Sequence, residues 1–164
     1  MADNYLERKM EDYRSGKGGT SKIKRVSLNP KQGTVNVKFP PRRVFVTGGA
    51  SGIGRAIVEA FRKVDCRVAF CDIDTKVGMS TAQATGAQFY PVDMRDVNAL
   101  EACMTRLLDA WGDIDVIVNN VGLGCFVPLV ESTVDDFDNV LASNLRPVFV
   151  TARRLAIHRT HKLR

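Results

Sequence analysis

Thr47-Gly48-Gly49-Ala50-Ser51-Gly52-Ile53-Gly54 constrains this chain more than any other stretch. It follows an apolar run, Val44-Phe45-Val46, and opens into a helix-like segment from Arg55 to Lys63. A short strand, a glycine-rich turn and a helix together form a device that holds a dinucleotide pyrophosphate. Gly48 lets the chain turn with positive φ, and Gly52 removes a Cβ so that backbone N–H groups reach phosphate oxygens. Gly54 lets the helix pack close to the strand, and the helix N-terminus adds partial positive charge. Glycine turns also close ordinary surface loops, so the flanking strand and helix carry this reading.

The elements after that loop alternate. Strand-like runs cover Arg43–Thr47, Arg67–Asp72, Ala87–Val92 and Ile114–Asn119, and helix-like runs cover Gly52–Lys63, Lys76–Ala84, Asp96–Trp111 and Thr133–Ile157. In the third helix Leu100, Cys103, Met104, Leu107, Leu108 and Trp111 recur at helical spacing. Ser132-Thr133-Val134-Asp135-Asp136 supplies a hydroxyl cap and first-turn carboxylates for the last helix. Pro147 should kink or break that helix near Asn144–Arg146. Such alternation implies right-handed crossovers and a parallel sheet with helices on both faces.

Charge divides the chain into three parts. Residues 1–43 hold eleven basic and four acidic groups, net +7; residues 44–145 are net −7; residues 146–164 hold six basic groups and no acid. Nucleic-acid binding calls for basic groups on one folded face with stacking aromatics, so cations confined to the two ends argue against it. The organisation read from this is a basic leader over 1–42, a nucleotide-binding body over 43–158 and a basic tail over 159–164. Within the leader, residues 4–14 have an amphipathic pattern through Leu6, Met10 and Tyr13, residues 15–21 read as a linker, and Val35 and Val37 allow a short strand. No run of about 18 apolar residues exists to span a membrane, and the N-terminus lacks a secretory pattern. Cys66, Cys71, Cys103 and Cys125 show neither metal-ligand nor redox spacing, which fits reduced thiols in the cytoplasm.

From about Val44 to Leu155 the chain resembles the N-terminal part of a short-chain dehydrogenase/reductase. The resemblance rests on Thr47-Gly48-x-x-x-Gly52-x-Gly54, Asp72, Asp93-Met94, Asn119-Asn120-Val121-Gly122 and Asn144-Leu145, in the family's order and at about its spacing. Val121 stands where the family usually has alanine. The resemblance implies a Rossmann-like, doubly wound α/β sheet of order 3-2-1-4, cut after the fourth strand and its following helix. It also implies a cofactor site at Thr47, Gly48, Ser51, Gly52, Ile53, Gly54, Asp72, Ile73, Asp93, Met94, Asn120, Val121 and Gly122.

Asp72 closes the second strand, twenty-four residues after Gly48, where a carboxylate accepts both ribose hydroxyls and repels a 2′-phosphate. No Arg or Lys lies between Thr47 and Gly54, so NAD is expected and NADP less so. The resemblance gives Asp93 and the Met94 backbone to the adenine, although a helix cap ahead of Asp96 is an alternative for Asp93. It sets Asn120, Val121 and Gly122 against the adenosine ribose. It makes Asn144 the catalytic asparagine, whose helix distortion exposes a carbonyl that holds a relay water.

The family's chemistry also needs a Ser and a Tyr-x-x-x-Lys pair to move a proton at the substrate oxygen while hydride moves. By family spacing that tyrosine lies beyond Arg164, so the chain is expected to be an N-terminal portion, inactive alone. Tyr5…Lys9 and Tyr13…Lys17 match the pattern but precede the first strand. His158 and His161 lack a third ligand and read as exposed. The apolar fourth strand, left as an edge, invites association, so a homo-oligomer or completion by another polypeptide is expected. The leading function is an NAD-dependent oxidoreductase acting on a small alcohol/carbonyl pair; a silent nucleotide-binding module and a protein-interaction module are the alternatives.

Overall fold

Val44, Phe45 and Val46 are fully buried, which is what a central parallel strand with helices on both faces requires. The computed structural model describes residues 40–162. The leader readings over 4–14, 15–21 and Val35–Val37, and both Tyr-x-x-x-Lys matches, lie outside the described residues. Strand β1 (Arg43–Thr47) pairs with β2 (Arg67–Asp72) on one side and β4 (Val116–Val118) on the other, and β3 (Gln88–Pro91) pairs with β2. All pairings are parallel, and the order is β3-β2-β1-β4. This is the α/β, Rossmann-like sheet expected from the sequence.

The strand period of two splits the core into two layers. Phe45, Ala69 and Cys71 face Leu100, Met104 and Leu107 of α3 (Val97–Trp111). Val44, Val46, Val68 and Phe70 face Val58 of α1 (Gly52–Lys63), with α2 (Thr75–Thr85) packed on the same side. Helix ends follow local chemistry. Asp74 and Asp96 cap α2 and α3 by accepting from Val77 N and Ala99 N, and Gly86 and Gly112 end them in the left-handed region.

The run expected as one helix over Thr133–Ile157 is two, α4 (Val134–Asn144) and α5 (Arg146–Lys162). Thr133 and Asp136 form a reciprocal capping box at the start of α4. Pro147 has no N–H to give to Ser143 O and its ring crowds that carbonyl, so the break falls at Leu145. The edge strands are shorter than their apolar runs. Asn120 N turns aside to Thr47 Oγ1, and Ile114 N bonds Asp113 Oδ1 instead of a neighbouring strand.

Much of the segment read as a basic tail is the last turn of α5, seated on the end of α3. Arg159 donates to Asp113 and to Ile114 O, Lys162 Nζ donates to Gly112 O, and Arg154 donates to Thr105 Oγ1. His158 is half-buried rather than exposed, with Nε2 2.8 Å from Gly112 O. Lys162 meets the carbonyl of Gly112, the C-cap of α3, where the helix dipole favours positive charge. Cys66, Cys71 and Cys103 are buried free thiols, and burial pushes the Cys103 thiol up to about 12.

Arg43 clamps the start of β1 to the segment entering β4. Its backbone N, Nε and Nη2 all donate to the Asp115 carboxylate, at 2.8–2.9 Å. The Arg43 guanidinium and N–H hold that carboxyl well below the usual carboxylate range. A depressed folded pKa means the stabilisation is fully present above the unfolded value of about 3.9 and is lost as pH falls toward the folded one. Asp115→Asn is therefore expected to lower stability at pH 7 by about 1–3 kcal/mol, the worth of hydrogen bonds to a charged group. The gap to the parent chain should narrow in urea unfolding between pH 4 and pH 2. A constant gap would show that this carboxylate is not the titrating group.

Candidate cofactor-binding site

The carboxyl ends of the four strands open onto one crevice of about 550 Å³, within the usual range for a small-molecule site. Its floor is the glycine loop. Gly48 N and Gly49 N both donate to Cys71 O, at 2.8 and 3.1 Å, which lays the loop across the end of β2. Gly48 turns at φ +68°. A Cβ on Gly49 would stand 2.5 Å from Phe70 Cβ, so this second glycine is demanded by packing. Nothing in the sequence pattern singles out Gly49.

Gly52 turns at φ +54°, and a Cβ there would meet nothing within 4 Å. Its surroundings are open. Gly54 is the reverse: a Cβ would fall 1.8 Å from Gly48 O and 2.6 Å from Asn120 Nδ2. The close approach at Gly54 is thus between the first turn of α1 and the loop and Asn120, rather than with the strand as expected.

Ser51 is the N-cap of α1, yet its side chain makes no capping bond, and the first turn carries no acidic residue. The first amides of a helix have no intrahelical acceptor. Arg55 N already reaches back to Ser51 O, so the amides before it remain for an outside anion. Ser51, Ile53 and Gly54 line the crevice together with Gly48. A diphosphate fits this donor set, because uncapped amides and the helix dipole both favour negative charge.

Asp72 lines the same crevice from the end of β2. Its Oδ2 accepts from Ala50 N at 3.0 Å and its Oδ1 from Asp74 N at 3.1 Å. The carboxylate thus ties down the glycine loop while each oxygen keeps an acceptor position for a hydroxyl. Ile73 follows it as a lining side chain, 65% exposed. Asp93 and Met94 line the crevice beyond β3. The cap of α3 is Asp96, so the alternative role weighed for Asp93 is taken by another residue. Asp93 instead holds Arg95, whose guanidinium keeps its carboxyl below the usual range.

Asn120 works mainly as a latch. Its N donates to Thr47 Oγ1 at 2.9 Å, and Nδ2 donates to Thr47 O and Gly48 O at 3.0 and 3.2 Å. Val121 N shares Thr47 Oγ1 at 3.2 Å, so the buried Thr47 is a strut beneath the crevice. Asn120, Val121 and Gly122 line its wall.

Thr47, Gly52 and Asn144 are the three expected residues that do not line it. Asn144 ends α4, and its carboxamide brackets the Leu123 backbone: Oδ1 accepts from Leu123 N at 2.8 Å and Nδ2 donates to Leu123 O at 2.9 Å. The crevice also takes in Val92, Arg95, Leu123 and Ser143, which sequence reasoning did not select. A surface arginine and an isolated serine carry no local pattern that would mark them.

Among the described residues, no group of three His, Cys, Asp or Glu could hold a metal, and no helix is long and apolar enough to cross a membrane.

Comparison with known proteins agrees with this geometry. The family model described as short chain dehydrogenase matches residues 42–161. Sorbitol dehydrogenase from Cereibacter sphaeroides is 38% identical over 111 residues, 66% of this chain and 43% of that protein. A probable galactose dehydrogenase from Rhizobium meliloti is 36% identical over 130 residues, 74% of this chain and 51% of that protein. A solved short-chain dehydrogenase/reductase from Serratia marcescens superposes with a TM-score of 0.67 at 31% identity, over 71% of this chain and 50% of that one. A 3-ketoacyl-(acyl-carrier-protein) reductase from Brucella melitensis, complexed with NADH, superposes with a TM-score of 0.67 at 26% identity, with the same coverage. The chain spans about half the length of the curated relatives it matches. Parallel sheet, glycine loop and crevice agree with the family match over nearly all the described residues, and the chain belongs to the short-chain dehydrogenase/reductase family.

Proposed function

We propose that this chain is the dinucleotide-binding portion of an NAD(H)-dependent oxidoreductase acting on a small alcohol/carbonyl pair. The observation that carries the reading is the uncapped N-terminus of α1 opening beside Asp72 in one crevice. When bound, the nicotinamide cofactor supplies hydride transfer. The residues of this chain bind and orient. Ser51, Ile53 and Gly54 hold the diphosphate with backbone amides beside Gly48, whose own N–H stays on Cys71 O, Asp72 and Ile73 take the adenosine ribose, and Asn120, Val121 and Gly122 form the wall on the β4 side. Asn144 keeps the family's proton-relay role in this reading; the helix break at Leu145, directly after it, supports that role.

Proton transfer at the substrate oxygen falls to a Ser and a Tyr-x-x-x-Lys in this family. Of the three tyrosines, Tyr5 and Tyr13 precede the described fold, and Tyr90 lies in β3 with methionine four residues on. The chain by itself therefore binds coenzyme without turnover. Phe126, Leu129 and Val130 are each at least 90% exposed, which supports association into a homo-oligomer or with another polypeptide. The buried free thiols support a reducing, cytoplasmic setting.

Calorimetry on the folded chain is expected to show heat with NADH and ADP-ribose and less with NADPH. Silence with both coenzymes would overturn the reading. Asp72→Asn removes the charge that repels a 2′-phosphate while leaving an acceptor for Ala50 N. It should narrow the preference for NADH over NADPH by about tenfold, equivalent to about 1.4 kcal/mol. An unchanged ratio would remove Asp72 from coenzyme selection.

A further inference from the structure

Ala50 sits in the middle of the glycine loop and is buried, yet its backbone groups bond to side chains rather than to a sheet ladder or a helix. Ala50 N donates to Asp72 Oδ2 at 3.0 Å, and Ala50 O accepts from Thr81 Oγ1 at 2.8 Å. A buried carbonyl left without a donor is costly, so this hydroxyl has a task. Thr81 lies 31 positions along the chain, in the second turn of α2, and is fully buried. Gly78, three residues before it, has no room for a side chain: a Cβ there would stand 2.4 Å from the Phe89 ring. That close seat on β3 brings α2 within reach of the loop.

What Thr81 fixes is a plane. The peptide group that carries Ala50 O also carries Ser51 N–H, and a trans peptide is flat with the two pointing in opposite directions. Drawing Ala50 O inward onto Thr81 therefore turns Ser51 N–H outward. Ser51 is exposed, lines the crevice and is the uncapped N-cap of α1. The preceding peptide is fixed in the same manner, through Ala50 N, by Asp72. The two clamps share a footing, because Asp72 Oδ1 accepts from Asp74 N and Asp74 is the N-cap of α2.

We propose that Thr81 is a positioning residue for the coenzyme diphosphate: without touching the ligand, its hydroxyl sets the peptide plane that aims Ser51 N–H at the crevice. This rests on the coenzyme reading above. Thr81→Val deletes the hydroxyl at almost constant shape. Ala50 O then finds a donor only by rotating toward water, and the same rotation turns Ser51 N–H away from the diphosphate.

The test is calorimetric titration of the whole chain with NADH and with inorganic pyrophosphate, beside amide hydrogen exchange of the ligand-free chain. Thr81→Val should weaken both ligands by about tenfold, the worth of one aligned hydrogen bond. Thr81→Ser keeps the hydroxyl and should stay within about threefold of the parent chain. Thr85→Val is the control. Its hydroxyl lies one turn further along α2 and donates to Thr81 O rather than to the loop, so its binding should match the parent chain. Without ligand, the Ala50 amide should exchange faster in Thr81→Val and at the parental rate in Thr81→Ser and Thr85→Val. Should Thr81→Val fail to fold, Thr81→Cys replaces it, with a smaller loss expected from its weak S–H donor.

Parental NADH binding by a folded Thr81→Val chain would overturn the proposal. So would an equal loss in Thr85→Val, which would mark a general loosening of α2. Weak binding by Thr81→Ser would make side-chain shape, not the hydrogen bond, the deciding feature. A parent chain that binds neither ligand would sink the coenzyme reading instead, while Ala50 exchange would still report whether Thr81 holds the loop.

Discussion

Gly54→Ala is expected to abolish NADH binding and to lower the stability of the folded chain by at least about 3 kcal/mol. Overpacking usually costs about 1–3 kcal/mol because side chains absorb the strain. Here the nearest atom is a backbone carbonyl oxygen, Gly48 O, at 1.8 Å from the new methyl. Gly48 cannot retreat, because its N–H and that of Gly49 are both fixed to Cys71 O, and β2 lies in the centre of the sheet. The first turn of α1 must therefore lift away, taking the anion-binding amides with it.

Gly52→Ala makes a sharp comparison. Its methyl enters open space, and the cost is that of a left-handed backbone, about 1–2 kcal/mol. Urea unfolding and NADH titration of both variants would separate collision from conformational strain. A Gly54→Ala chain with parental stability would mean the loop and helix are not in contact.

Asn120→Ala is expected to cost about 2–4 kcal/mol and to weaken coenzyme binding sharply. The Nδ2 group donates to Thr47 O and Gly48 O, and removing it strands two carbonyls close to the buried Thr47. Each lost bond is worth about 1 kcal/mol, and an unsatisfied buried acceptor adds more. The backbone bonds from Asn120 and Val121 to Thr47 Oγ1 remain, so β4 should stay in register while the loop loosens. Thr47→Val removes the acceptor of those two backbone bonds and should add its own cost in the Asn120→Ala background. Combination with Gly54→Ala should be non-additive, because the Gly54 methyl would press on the same Nδ2 group. Parental unfolding and binding by Asn120→Ala would show that this side chain is merely solvated.

Local pattern alone set the bounds of three elements. Val44-Phe45-Val46, the helix from Gly52 and the run from Arg67 to Asp72 appear in the structure where hydrophobic period and glycine chemistry place them. The sheet order also followed, because alternating strands and helices with right-handed crossovers leave few arrangements, and the family resemblance selects one of them. The break of the last helix was legible because proline acts on its own backbone and on the carbonyl one turn back. The strand ends at Gln88–Pro91 and Val116–Val118 were less legible, since apolar runs continue past the point where the backbone leaves its neighbour.

Side-chain partnership belonged to the tertiary structure. Asp72 on Ala50 N, Asn144 on Leu123, Arg159 on Asp113 and Asn120 on the glycine loop join residues 21 to 72 positions apart. No spacing rule reaches across such distances. Even Asp93 and Arg95, two residues apart, form their pair only because the chain leaves β3 into a turn; in a continued strand they would share a face without this bidentate geometry. Sequence fixes backbone habit through nearest neighbours, and so it placed the crevice. Which polar atoms remain free inside it depended on contacts made only once the sheet had closed.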